Sequence, residues 1–90
     1  MNNVTQRSVC LRMLGKRIAG QRKKLGLNQS EVSTASGLHR TYLSDVERGA
    51  RNISFMTMLV IADSIQTTIS DLCQGIDLKS LATTETVERD

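Results

Sequence analysis

Proline and tryptophan are absent from this chain of 90 residues, which contains one phenylalanine and one tyrosine. Proline interrupts helices and aromatic residues are enriched in strands, so the scarcity of both favours helices, and helix-forming residues outnumber β-branched runs. A chain of this length forms one small domain that buries only about 60% of its unfolded surface, and a partner subunit would add stability. The composition therefore predicts an all-α domain.

The chain also lacks the residue patterns of enzymes and of cofactor-binding proteins. It has one histidine, His39, and we find no serine–histidine–acid spacing, no phosphate-binding glycine loop and no run of metal ligands. The two cysteines, Cys10 and Cys73, lack the paired spacing of a zinc or redox site and are expected to be buried or functionless thiols. We predict that the protein is not an enzyme, with no cofactor and no metal.

Long apolar runs are missing too. Nothing in the sequence approaches the ~20 apolar residues that cross a membrane, and no apolar signal core follows the first basic residues. The sequence therefore predicts a cytoplasmic protein with no membrane partner.

Charge is distributed unevenly along the chain. Residues 1–27 carry seven Lys or Arg and no acid, residues 28–52 carry three of each sign, and residues 53–90 carry two basic and six acidic groups. Such polarity suits a domain that turns one face to a polyanion, although ordinary solvent-exposed charge would also account for it. Basic residues are therefore concentrated in the first third of the chain.

The stretch from Leu27 to Asn52 has start and stop signals of two short helices. Asn28 and Glu31 have the spacing of a capping box, which predicts a helix over residues 29–36. Gly37 can adopt the left-handed conformation that ends a helix and turns the chain. The connection to the next helix should therefore be tight.

A second helix is predicted over residues 40–48, with Leu43 and Val46 on its buried side. Its outer side is polar and consists of Arg40, Thr41, Ser44, Asp45 and Arg48. Two short helices joined through a glycine turn, the second with a polar outer face, are typical of a helix-turn-helix that places one helix in the major groove. An ordinary helical hairpin is the alternative.

These residues resemble a known family. GLNQ (26–29), the glycine of the turn and LSDVERG (43–49) are similar to the helix-turn-helix domain of phage repressors and their relatives, and HRTYLSDVERGARN (39–52) looks most like the controller proteins of restriction-modification systems. The resemblance covers roughly residues 14–72. It implies a compact five-helix repressor-type domain whose helices 2 and 3 form the helix-turn-helix.

The resemblance also implies a function. A homodimer would bind palindromic half-sites in double-stranded DNA, control a restriction-modification operon that includes its own gene, and assemble further on DNA, with RNA polymerase as a candidate partner. The alternative is an antitoxin-type repressor whose main partner is a toxin protein. A neighbouring pair of endonuclease and methyltransferase genes would favour the controller function, and a neighbouring small toxin gene would favour the antitoxin function.

Three further helices are predicted outside this stretch. The first has Ser8 as its start signal and Gly26 as its stop signal, and the last has Thr68 and Gly75. The helix between them starts at the cap Ser54 and extends to about Ile65. Residues 1–7 and 79–90 are predicted to be flexible tails around a domain of residues 8–78.

Helix 4 carries more apolar residues than one buried face needs. Its predicted core face consists of Phe55, Met58, Leu59, Ala62 and Ile65. Met56 and Val60 form a second apolar line, one turn apart. We predict that these two residues and Ile69 of helix 5 form a dimer interface.

Base reading is expected from the start of the second helix of the helix-turn-helix. Arg40 can donate two hydrogen bonds to guanine O6 and N7, and Thr41 can bond a base edge or contact the thymine methyl group. Ser44 allows close approach to a base. Asp45 either accepts a hydrogen bond from cytosine N4 or pairs with Arg48, and the pair is favoured because phosphates repel a carboxylate.

Several residues are predicted to contact phosphate or to orient the helices. The helix dipole and free N–H groups favour an anion near Asn28 and Gln29, and His39 is expected to cap the next helix or touch a phosphate. By resemblance, Arg51 reaches an adjacent base and Arg22 pairs with Glu47. The remaining predicted phosphate contacts are Tyr42, Arg48 and Asn52.

Overall fold

Five helices and their connecting turns make up the part of the chain that the computed structural model describes, residues 2–78 for the backbone and 6–78 for the side chains. They are α1 (Asn2–Lys24), α2 (Gln29–Ser36), α3 (Arg40–Glu47), α4 (Phe55–Ser64) and α5 (Ile69–Leu72). No strand occurs in residues 2–78, and the predicted all-α, five-helix fold is confirmed. Residues 2–78 contain no candidate membrane-spanning helix.

Local sequence signals set most of the helix ends. The side chain of Asn28 accepts from the N–H of Glu31 at 2.8 Å, and the Glu31 carboxylate accepts from the N–H of Asn28 at 2.8 Å, which completes the predicted capping box. Ser54 and Thr68 accept from the N–H three residues further on, at 3.1 and 3.0 Å. Gly37, with φ of 76°, ends α2 in the left-handed conformation.

Two predicted caps are wrong. Ser8 lies inside α1, which begins at Asn2 because residues 2–7 contain neither proline nor glycine that would stop a helix. His39 precedes α3, but its side chain makes no capping hydrogen bond. The domain limits of residues 8–78 stay a prediction, and the predicted tail of residues 79–90 lies outside the described residues.

All five helices contribute to one hydrophobic core. α1 packs against α3 and α5, α2 packs against α3 and α4, and α4 packs against α5. Helix α3 is therefore held by both α1 and α2. The buried apolar side chains are Leu14, Ile18, Val32, Leu43, Val46, Ile53, Ile61, Ala62, Ile65 and Leu72.

α1 and α3 approach each other most closely at Gly15. A Cβ atom there would lie 2.4 Å from the carbonyl oxygen of Glu47 and 2.6 Å from that of Val46, closer than any side chain can come. At Gly49, with φ of 78°, a Cβ atom would lie 2.8 Å from Cα of Arg12. The end of α3 and the turn after it therefore rest directly on the backbone of α1.

The predicted core face of α4 is partly wrong. Phe55 is 65% exposed and Leu59 is 38% exposed, whereas Ile61, which the prediction left out, is fully buried. Ala62 and Ile65 are buried as predicted. Because most residues of α4 are apolar, their spacing alone does not determine which side of the helix faces inward.

Candidate nucleic-acid interface

Helix α3 has a buried side and an open side. Leu43 and Val46 are almost fully buried and fix the helix to the core, as predicted. Arg40 and Thr41 at its start are exposed, and Ser44 is half-buried one turn further along. The helix therefore presents polar side chains at its first turn, where a side chain entering the major groove would reach base edges.

An ion pair ties the end of α3 to the end of α1. Nε and Nη2 of Arg22 donate to the two carboxylate oxygens of Glu47 at 2.7 and 2.9 Å, and Nη1 donates to the carbonyl of Leu27 at 2.9 Å. The side chains of the pair are only 10% and 9% exposed. This two-bond geometry fixes direction as well as distance, so the pair sets the orientation of α3.

Both partners of this pair keep their charge. Burial raises the pKa of Glu47, but the hydrogen bonds from Arg22 and Gln29 and the charges of Arg22 and Lys23 together lower it by more, so that the net pKa is below its ordinary value. The hydrogen bond to Glu47 raises the pKa of Arg22 despite desolvation. The pair is ionic throughout the neutral range.

Gln29, the first residue of α2, bridges the ion pair and the open side of α3. Its amide nitrogen donates to Oε1 of Glu47 at 3.0 Å, and its amide oxygen accepts from Nη1 of Arg40 at 3.5 Å. A chain of contacts therefore leads from Arg22 in α1 to the residue expected to read guanine. The predicted phosphate contacts of Gln29 and of the exposed Asn28 stay predictions.

Asp45 lies between two arginines. Its carboxylate pairs with Nη2 of Arg48, as predicted, and Nε of Arg51 lies 3.4 Å from its other oxygen. The guanidinium of Arg51 also lies over the ring of Tyr42, 5.3 Å from its centroid, at cation–π distance. We call these four residues the Asp45 cluster. The contact between Asp45 and Arg51 was not predicted.

The other predicted site residues lie at the edges of this surface. His39 and Asn52 are exposed, one before α3 and the other in the turn after it. Of the predicted dimer residues, Met56 is 63% exposed, Val60 is 37% exposed and Ile69 is half-buried. The contacts reported above link α1, α2, α3 and the turn after α3, whereas the three residues predicted for the dimer interface lie on α4 and α5.

Three residues of α1 that contact neighbouring helices were not predicted. Gly15 allows the close approach to α3, and a glycine inside an apolar helical pattern is the signal that could have indicated it. Arg17 and Gln21 donate to the carbonyls of Leu72 and Ile65 at 3.1 and 2.9 Å, at the ends of α5 and α4. No local pattern in the sequence marks these two contacts.

Comparison with protein families and curated proteins gives consistent matches. A helix-turn-helix family model matches residues 18–72. Control protein C.SmaI of Serratia marcescens is 32% identical over 68 residues, which are 76% of this chain and 81% of that protein. Control protein C.BamHI of Bacillus amyloliquefaciens is 37% identical over 49 residues, covering 54% of this chain and 60% of that protein.

Solved structures show the same fold. The restriction-modification controller protein C.AhdI of Aeromonas hydrophila is 35% identical, with a TM-score of 0.67 over 69% of this chain and 94% of its own. The controller protein C.Esp1396I, solved as a tetramer on its 35 base-pair operator, has a TM-score of 0.67 over 82% of this chain and 95% of its own, and at 23% identity shows the fold alone. The chain therefore belongs to the helix-turn-helix family of DNA-binding transcriptional regulators and is similar within it to the controller proteins of restriction-modification systems.

Proposed function

We propose that this protein binds DNA as a dimer and controls a restriction-modification operon that includes its own gene. The observation that carries the proposal is the placement of Arg40 and Thr41, exposed at the start of a helix whose far end is fixed by the Arg22–Glu47 pair. A side chain that reads a base must reach the groove in a defined direction, which a rigid helix supplies. The names of the controller relatives support the choice of operon.

The dimer is proposed from α4. Phe55, Met56, Leu59 and Val60 are all large, apolar and between 37% and 65% exposed. A second copy of the chain would cover these residues through a twofold axis, and Ile69 on α5 is the proposed further contact. Two recognition helices related by that axis would lie about one turn of DNA apart, ~34 Å, and would read a palindromic site.

Regulation would then follow from where the site lies. A dimer bound upstream of a promoter is placed to recruit RNA polymerase, and a dimer bound over the promoter blocks it. Two dimers on adjacent sites would form the higher assembly. The antitoxin alternative has no support from the relatives reported above, which are named as control proteins.

Selection of bound duplexes from a randomised DNA pool tests the proposal. We expect the selected sequences to be palindromic, with half-sites one helical turn apart. Arg40→Ala should weaken binding to the selected duplex by ~1–3 kcal/mol and change binding to random duplex much less, since the lost contacts are to a base. Selected sequences without symmetry would contradict the dimeric reading.

Asn52→Ala is the control, because Asn52 is an exposed, predicted phosphate contact in the turn after α3 and takes no part in the contacts of Arg40. As a phosphate contact, Asn52 should contribute equally to selected and random duplexes. Equal losses for Arg40→Ala as well would show that Arg40 contacts phosphate and reads no base.

A further inference from the structure

The Asp45 carboxylate holds two cations on a surface that is proposed to meet a polyanion. Its side chain is 22% exposed, whereas those of its partners Arg48 and Arg51 are 64% and 54% exposed. Each guanidinium is therefore paired on its inner side and open to solvent on its outer side. The ring of Tyr42 restricts the position of Arg51 further.

This arrangement makes the two arginines conditional DNA ligands. Acceptors that lie at the open outer sides of both guanidiniums can be bound while the pairs with Asp45 stay intact, and the two cations then lie between those acceptors and the carboxylate. Acceptors that lie elsewhere are reached only if a pair with Asp45 breaks, and they then meet the repulsion of the uncompensated carboxylate.

We propose that Asp45 is a specificity-determining residue, which weakens binding to DNA on which Arg48 and Arg51 cannot both be satisfied. The inference rests on the proposed function, since it requires that this surface docks on DNA. Asp45 contributes no base contact of its own in this role. It acts by keeping the two arginines from binding any nearby phosphate.

The test replaces the carboxylate by an amide of the same shape. Asp45→Asn should bind a random duplex about fivefold more tightly, because both arginines can then reach phosphates without the breaking of an exposed ion pair. Binding to the duplex selected by the wild-type protein should change less than twofold. The affinity ratio, which is the affinity for the selected duplex divided by that for the random duplex at one salt concentration, should therefore fall severalfold.

Asp71→Asn is the control for net charge, because Asp71 is an exposed aspartate on α5, which packs against α1 and α4. It should leave the affinity ratio unchanged. If both variants lower the ratio equally, the effect is one of total charge and the inference is wrong. If Asp45→Asn weakens binding to the selected duplex tenfold or more and leaves random binding unchanged, Asp45 reads a base and the inference is also wrong.

A double-mutant cycle identifies the residue through which Asp45 acts. In an Arg51→Ala background, Asp45→Asn should strengthen random binding by distinctly less than it does in the wild-type protein. An unchanged fivefold effect in that background would show that Asp45 does not act through Arg51 and would overturn that part of the mechanism. Thermal unfolding of each variant checks that the fold is retained.

The same measurements separate this inference from the proposed function. A wild-type protein that distinguishes no duplex from random DNA overturns both. A wild-type protein that discriminates, together with an Asp45→Asn variant that keeps the full ratio, overturns the inference alone.

Discussion

Gln29 donates a hydrogen bond of 3.0 Å to Oε1 of Glu47, the same oxygen that accepts from Nη2 of Arg22 at 2.9 Å. The last residue of α3 is thus bonded to the first residue of α2 and to a residue near the end of α1. Both oxygens of the carboxylate have partners, which offsets much of the cost of burying the charge. The three helices of the DNA-binding part of the domain meet at this one side chain.

The first prediction concerns the energetic coupling of Arg22 and Glu47. Alanine at either position leaves the other charge buried and unpaired, and each single variant should lose ~3–5 kcal/mol of unfolding free energy. A double-mutant cycle by denaturant unfolding should therefore show a coupling well above 1 kcal/mol. The exposed Arg48–Asp45 pair is the control, with an expected coupling below about 1 kcal/mol. Additive effects for Arg22 and Glu47 would contradict the orienting role of the pair.

The second prediction follows from the lowered pKa of Glu47. The unfolded value is about 4.3, and the folded value lies below it, so the stabilisation is complete above the unfolded pKa and is lost as pH falls through the folded one. The free energy of unfolding should fall more steeply with acidification below pH ~4.5 in the wild-type protein than in Glu47→Gln. The same slope in both proteins would show that Glu47 does not titrate as described.

The third prediction uses two glycines of α1. Gly15→Ala would place a Cβ atom 2.4 Å from the Glu47 carbonyl oxygen, so α1 and α3 must separate, at a cost of about 1–3 kcal/mol or more. At Gly20 nothing lies within 4 Å of a Cβ atom. Gly20→Ala should therefore stabilise the protein by about 0.5–1 kcal/mol through helix propensity. Thermal unfolding should show a lower melting temperature for Gly15→Ala and a higher one for Gly20→Ala. An unchanged melting temperature for Gly15→Ala would exclude the close contact between α1 and α3.

The fourth prediction tests the proposed dimer face. Val60→Glu would bring two like charges together across the twofold axis and should give a monomeric mass by light scattering at micromolar concentration. Because Val60 is 37% exposed, the variant should keep its helical circular dichroism spectrum. Gln74→Glu, an exposed position that adds the same charge, should remain dimeric. A dimeric Val60→Glu protein would place the interface elsewhere.

The helix-turn-helix could be predicted from the sequence because its signals are local. The capping box at Asn28 and Glu31, the glycine of the turn and the spacing of Leu43 and Val46 each involve residues close together in the chain. Local hydrogen bonds and helical periodicity determine such features, and tertiary contacts need not be known. The Arg22–Glu47 pair spans 25 residues and was predicted only through the resemblance to repressors.

Features that depend on how helices pack could not be predicted in the same way. The apolar residues of α4 allow more than one buried face, and only contact with α2 and α5 places Ile61 inside and Phe55 outside. The second partner of Asp45 is Arg51, which reaches it from the turn after α3 and not from the same helix face. The buried face of α4 and the contact between Asp45 and Arg51 depend on how separate elements are placed in space, and the periodicity of the sequence does not indicate that placement.

The separation of the two sides of α3 has an evolutionary consequence. The residues that fix the helix, Leu43, Val46 and Glu47, contact the core and the neighbouring helices, whereas Arg40 and Thr41 face outward. Exposed substitutions usually change stability by less than about 0.5 kcal/mol. With Arg40 and Thr41 as the proposed base-reading residues, mutation at these two positions would change the preferred DNA sequence while the scaffold stays intact, so that related regulators could diverge in their targets without first losing their fold.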